Sequence, residues 1–199
     1  MVKNFLKKIS YSLRIGIIGK KKSIETVFFE GLKITAIKSK TSDEDYEFLV
    51  VFKQIPIKIK IFIAEKMEEL ISNFNKIKKL DVIILPINLN EPASLQTITK
   101  QLIDEFNELF SFQGLSILVG VDFENIFNRS SYKKFRISRY QLEKITKDLN
   151  LIYCFEIINN DSDINEIYNT IFTEFMIRFQ YSNPELFDVA KDYGKKLLS

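Results

Sequence analysis

The sequence predicts an α/β fold: an open sheet, mostly parallel with one antiparallel edge strand, and helices on both faces. Three observations carry this expectation. Short apolar runs such as Val82-Ile83-Ile84-Leu85 and Leu115-Ser116-Ile117-Leu118-Val119 recur along the chain, as central parallel strands buried on both faces require. Segments of helical periodicity, roughly 10–18 residues long, separate them, which is the rhythm of βαβ units. One run, Ile57-Lys58-Ile59-Lys60-Ile61-Phe62-Ile63, starts with period-2 alternation, as expected of a half-exposed edge strand on a hairpin with its lysines toward solvent.

Taken in order, the first strand covers residues 13–18, and residues 23–31 read as a helix closed by Gly31. Glu47-Phe48-Leu49-Val50-Val51-Phe52 is strand-like, and Lys53-Gln54-Ile55-Pro56 turns into the alternating run. Residues 65–79 have helical spacing and lead to the apolar strand at Val82. Residues 94–110 read as one long amphipathic helix before the strand at Leu115. Ser138-Arg139-Tyr140-Gln141 resembles a capping box and opens a helix running to about Asn150. Residues 151–155 form the last strand, and Asp163-Ile164-Asn165-Glu166 caps a final helix to about Gln180. Ser182-Asn183-Pro184-Glu185 restarts a helix with proline near its first turn. The organisation expected is an amphipathic segment over residues 1–12, the sheet domain over 13–180 and a helical extension over 181–199.

Composition narrows the chemistry. The 199 residues hold 29 Lys and Arg against 26 Asp and Glu, a net charge of +3 that is too balanced to argue for nucleic acid. No histidine occurs, which excludes a Ser-His-Asp triad and removes the commonest zinc ligand. The single cysteine, Cys154, sits in the apolar run Leu151-Ile152-Tyr153-Cys154-Phe155 and reads as a buried structural thiol with no histidine to activate it. No signal peptide and no apolar stretch of about 20 residues appears, so a cytoplasmic location is expected. Val2, Phe5, Leu6, Ile9 and Leu13 recur at helical spacing with Lys3, Lys7 and Lys8 between them. Such a basic amphipathic helix either packs on the domain or a partner, or makes weak contact with a membrane surface through residues 2–12. Val2 stands where myristoylation requires glycine.

The segment Leu13-Arg14-Ile15-Gly16-Ile17-Ile18-Gly19-Lys20-Lys21-Lys22-Ser23 occupies the place of a phosphate-binding loop. It ends in the Lys-Ser pair of the pattern Gly-x-x-x-x-Gly-Lys-Ser/Thr. Anchored on Lys22 and Ser23, the first glycine is Gly16 and the second falls on Lys21. Anchored on the strand, Gly19 is the first glycine and the loop is about three residues short of the pattern. Both registers lack the small residues that let backbone N–H groups curl around an anion.

This order resembles the Ras-superfamily small GTPase domain over residues 13–180. Thr41-Ser42-Asp43-Glu44-Asp45-Tyr46 looks like switch I with its magnesium-sensing Thr41, and the hairpin over residues 48–63 is similar to the family's second and third strands. Ile87 to Leu95, containing Glu91-Pro92-Ala93-Ser94, looks like the family's Asp-Pro-Glu-Ser segment, and Leu118-Val119-Gly120 matches the run before the guanine-reading motif. The resemblance implies vestigial nucleotide-binding positions at Gly16, Gly19, Lys22, Ser23, Thr41 and Asp122, with Ser23 and Thr41 on magnesium if any is bound and otherwise no metal. The family's Asp-x-x-Gly is replaced by Ile63-Ala64-Glu65-Lys66, and Met67 stands where Ras-type enzymes place the water-orienting Gln. Asn-Lys-x-Asp becomes Val121-Asp122-Phe123-Glu124, and Ser-Ala-Lys becomes Ile157-Ile158-Asn159.

The expected function is therefore that of a pseudo-GTPase without catalytic residues or cofactor, acting as a protein-interaction or scaffold subunit through Lys58, Lys60 and Met67. The resemblance suggests another GTPase-like subunit, or a roadblock- or longin-type one, as partner. The alternative is an atypical small GTPase that still binds GTP or GDP with magnesium and acts as a signalling or trafficking switch.

Overall fold

Strand β1 (Tyr11–Ile18) has apolar side chains on both faces and lies in the interior of a seven-stranded sheet. The computed structural model describes residues 11–41, 46–73, 77, 79–127, 136–158 and 160–198. The other strands are β2 (Ala36–Thr41), β3 (Tyr46–Phe52), β4 (Ile55–Ala64), β5 (Val82–Asn88), β6 (Leu115–Val121) and β7 (Tyr153–Ile157). Their spatial order is β2-β3-β4-β1-β5-β6-β7. β3 pairs antiparallel with both β2 and β4, while β4-β1-β5-β6-β7 pair in parallel.

Helix α1 follows β1. It runs through an opening α-helical turn (Lys21–Ile24), a π-helical stretch (Glu25–Phe29) and a closing α-helical stretch (Glu30–Thr35). Then come α2 (Met67–Ser72), a 3-10 segment (Pro92–Thr97), α3 (Lys100–Phe110), α4 (Phe123–Ile126), α5 (Arg139–Asp148), α6 (Asn160–Ser182) and α7 (Pro184–Leu198). Leu13, Ile15 and Ile17 of β1 face one core with residues of α1, α6 and α7. Ile18 faces the opposite core with residues of α2, α3 and α5. Helices thus cover both faces, as the mostly apolar strands demand.

Several expectations change. The alternating strand β4 is not an edge: it lies between β3 and β1. Its isoleucines enter the core while Lys58 and Lys60, each 38% exposed at the side chain, meet Glu47 of β3 at 2.8 Å. Period-2 alternation here reports a solvent-facing sheet surface, which a strand paired on both sides also possesses. The edge on that side is β2, whose residues include the one assigned to switch I, Thr41. The antiparallel strand is consequently one position in from the edge.

Gly31 does not end its helix, which continues to Thr35. Residues 94–110 divide into the 3-10 segment and α3, and Thr99 caps α3 by accepting from the Leu102 N–H at 3.3 Å. The helix expected over residues 65–79 is seen as α2, with residues 74–76 and 78 outside the described set. The Ser138 capping box forms as expected, with Gln141 reciprocating. α6 starts at Asn160, so Asp163 lies inside its first turn, where its carboxylate accepts from the Ile158 N–H at 2.8 Å.

α7, within the helical extension expected over residues 181–199, packs on the sheet domain. Phe187 and Ala190 belong to the core, and Asn183 accepts from the Leu186 N–H at 3.1 Å to start the helix at Pro184. A Cβ on Gly194 would overlap the Gln54 carbonyl oxygen, so glycine is what lets α7 settle on the β3–β4 turn. That turn places both Lys53 and Gln54 at positive φ (46° and 69°), the backbone of a two-residue type I′ hairpin. The amphipathic helix expected over residues 1–12 falls almost wholly outside the described residues, since β1 begins at Tyr11.

Candidate functional site

Ligands of open parallel sheets normally sit outside the carboxyl ends of the strands. There the β1–α1 junction is only Gly19 and Lys20. The Gly19 N–H, at φ 150°, donates to the Ala64 carbonyl at 2.7 Å and stitches β1 to the end of β4. The Lys20 carbonyl accepts from the N–H groups of Ser23 and Ile24 at 2.9 and 3.1 Å. Ser23 is therefore the third residue of the helix, half-buried, beside exposed Lys22. Gly16 is not in a loop at all. It lies mid-strand in β1, where a Cβ would come within 3.0 Å of the Leu80 side chain. A phosphate cradle needs several consecutive N–H groups aimed at one point; at this junction the Gly19 N–H is already bonded within the sheet.

Around the helix start, Lys21 lies over the Tyr46 ring at 5.5 Å from its centroid, and the Tyr46 hydroxyl donates to Glu25 at 2.6 Å. Burial, followed by the adjacent Glu25, pushes the Tyr46 phenol above its usual range. Thr41 ends β2 opposite Tyr46; its side chain is outside the described set.

Asp122, the candidate base reader, caps α4 by accepting from the Asn125 N–H at 3.0 Å. The same carboxylate accepts from Asn90 Nδ2 at 2.8 Å and faces Arg136 at 3.7 Å. Arg136 also approaches Glu156 at 3.9 Å, and Asn125 Nδ2 donates to the Ile158 carbonyl at 3.0 Å. These bonds tie together the ends of β5, β6 and β7. The carboxylate that would read a base is engaged by the chain's own donors.

Met67 opens α2 with its side chain 1% exposed in the core, so it is packing rather than contact surface. The Glu65 N–H beside it is capped by the Glu69 carboxylate at 2.7 Å. On the sheet face, burial pushes the Glu47 carboxyl up, but the ion pairs with Lys58 and Lys60 outweigh it and hold the carboxyl below its usual range. Cys154 is half-buried, and burial pushes its thiol up, which leaves it a poor nucleophile. Among the described residues no group of three or more Cys, Asp or Glu is placed to hold a metal ion, and no helix is long and apolar enough to cross a membrane.

The sequence reading missed the opposite end of the sheet. At the amino ends of β1, β5 and β6 lies a cavity of about 450 Å³. Its apolar wall includes Leu13, Val82 and Phe175, and its polar rim holds Lys79, Asp81 and Arg178. Tyr11, Lys79 and Asp81 also line an adjoining cavity of about 360 Å³ together with Arg14. Asp81 is the signal that could have drawn attention, since an acidic residue immediately precedes a wholly apolar strand. A groove of about 490 Å³ on the flank, between the 3-10 segment and α5, is lined mainly by apolar surface with Arg136, Lys144 and Asp148.

No known family model matches the chain, and no curated protein is detectably similar to it.

Proposed function

We propose that this chain is a non-catalytic interaction subunit built on a small-GTPase-like sheet, a pseudo-GTPase that works by binding another protein. One observation carries the reading: the Gly19 N–H, which would belong to a phosphate cradle, is bonded to Ala64, and only Lys20 separates it from α1. The engagement of Asp122 by Asn90, Asn125 and Arg136 supports it at the position of the base reader. Phosphoryl transfer depends on positioning and on charge stabilisation of the transferred group, and neither the junction nor the segment after β4 offers an anchor for it. In this reading the open face carrying Lys58, Lys60 and Glu47 is the contact surface, and a GTPase-like, roadblock- or longin-type subunit is the partner by analogy of fold alone. Weak contact with a membrane surface through residues 2–12 is a separate part of the same proposal.

The test is the nucleotide content of the purified, denatured protein, followed by titration of GDP and GTP with magnesium in a calorimeter. The expected result is no stoichiometric nucleotide and no submicromolar affinity. Copurified GDP or GTP would establish the alternative, an atypical GTPase that retains its ligand.

A further inference from the structure

We propose that the cavity at the amino ends of β1, β5 and β6 binds a small monoanionic amphiphile, an apolar body bearing one carboxylate. This site is separate from the carboxyl-end positions and does not depend on the interaction-subunit reading.

A cavity of about 450 Å³ is within the size range of small-molecule sites. Its frame is built rather than left over. Gly114 precedes β6 at a point where any Cβ would overlap the Asp81 carbonyl oxygen, and that same oxygen accepts from the Leu115 N–H at 2.9 Å. Ser111 ends α3 at φ 43°, and the Phe112 N–H returns to the Asn107 carbonyl at 2.9 Å. Arg178 of α6 donates to the Gln113 carbonyl at 3.1 Å, tying α6 to the α3–β6 loop. On the inner side, the Tyr11 ring meets Phe175 edge-on with centroids 4.6 Å apart. The cavity thus has a fixed rim and an aromatic and aliphatic wall.

Charge selects the ligand. The rim places Lys79 and Arg178 against one acid, Asp81. The Asp81 carboxylate is engaged: it accepts from the Arg14 N–H at 2.9 Å and lies 3.8 Å from Lys79. Lys79 is 69% exposed at the side chain against 19% for Asp81, so the cation is the partner that reaches solvent. A guanidinium carries five N–H donors in a fork matched to a carboxylate. The negative end of the α3 dipole also faces this rim, since α3 terminates at Phe110. That end disfavours further negative charge, so a single carboxylate suits the rim better than a phosphate dianion. The chain's own residues 1–10, which lead into Tyr11, supply a competing occupant in Phe5, Leu6 and Ile9.

The probe is decanoate, with neutral decanamide as control, titrated into the full isotope-labelled chain and followed by amide resonances. Saturable submillimolar binding of decanoate is expected, with shifts centred on Leu115, Ile171 and Phe175. The variant Lys79→Gln, at an exposed position that makes none of the frame bonds, is expected to weaken decanoate about tenfold, the scale of losing one charge-assisted hydrogen bond, and to leave decanamide unchanged. Absence of saturable binding overturns the proposal, as does equal affinity in the variant. Cross-relaxation between Phe5 or Leu6 and Phe175 in the ligand-free chain also overturns it, by making the chain's own N-terminal segment the occupant.

Discussion

The two ends of the sheet have opposite characters. At the carboxyl ends, where an open parallel sheet ordinarily receives its ligand, polar groups satisfy one another: Gly19 with Ala64, and Asp122 with Asn90, Asn125 and Arg136. At the amino ends, backbone joins are equally tight, yet side chains leave a cavity edged by Lys79 and Arg178. The contrast teaches that strand order alone does not fix where a binding space opens. Among the described residues, the polar groups at the carboxyl ends engage one another, whereas those at the amino ends edge an open space.

The sharpest way to break this comparison is to add one methyl group at each end. At the amino end, Gly114→Ala forces a Cβ into the Asp81 carbonyl, whose position is fixed by the Leu115 bond. Overpacking costs about 1–3 kcal/mol and occasionally more, and this contact is with backbone, so the upper part of that range is expected. At the carboxyl end, Gly19→Ala meets only the flexible Ile24 side chain at 3.0 Å but must hold φ near 150°. Backbone strain of about 1–2 kcal/mol follows. Urea unfolding of both variants measures the difference; equal midpoints would remove the claim that the amino-end frame is the less yielding.

A smaller effect is expected from Asp122→Ala. It deletes a helix cap and strands the Asn90 amide, at a cost of about 1–2 kcal/mol. Asp122→Asn keeps an acceptor and should recover most of that stability. If instead Asp122→Ala changes a measurable nucleotide affinity, the carboxyl end is a working site and the contrast between the two ends fails.

The smallest effect lies away from both ends, at Glu47. Its two ion pairs with Lys58 and Lys60 join partly exposed groups, so Glu47→Gln is expected to cost about 0–1 kcal/mol at neutral pH. The sign of the pH dependence follows from the lowered carboxyl. The folded state holds the charged form more tightly than the unfolded chain, so the contribution is complete above the unfolded carboxyl range. It is lost as pH falls through the folded value. Denaturation midpoints of wild type and Glu47→Gln should therefore converge in acid, and a gap that widens there would reverse the assignment.

Much of the fold was legible because local pattern reports local burial. The apolar runs at Val82 and Leu115 became β5 and β6, buried between two layers of helices. The Ser138–Gln141 box capped α5 because its two bonds close within four residues. Gly31 misled because glycine ends a helix only where the next residues leave it, and here a Cβ would instead meet Ile164 of α6 at 3.3 Å.

By itself, then, the sequence determined the strand and helix rhythm and the two-sided core, both properties of neighbours along the chain. The tertiary structure decided which strand is the edge, that Met67 is core, that α7 packs on the sheet, and that a cavity opens beside Lys79 and Arg178. The physical reason is the same in each case. Period-2 alternation at Lys58 and Lys60 says that one face meets water, but besides the local hairpin with β3 it takes pairing with β1, which is far away in sequence, to fill both edges of β4. The rim likewise joins Lys79 and Asp81, before β5, to Arg178 on α6, almost a hundred positions later.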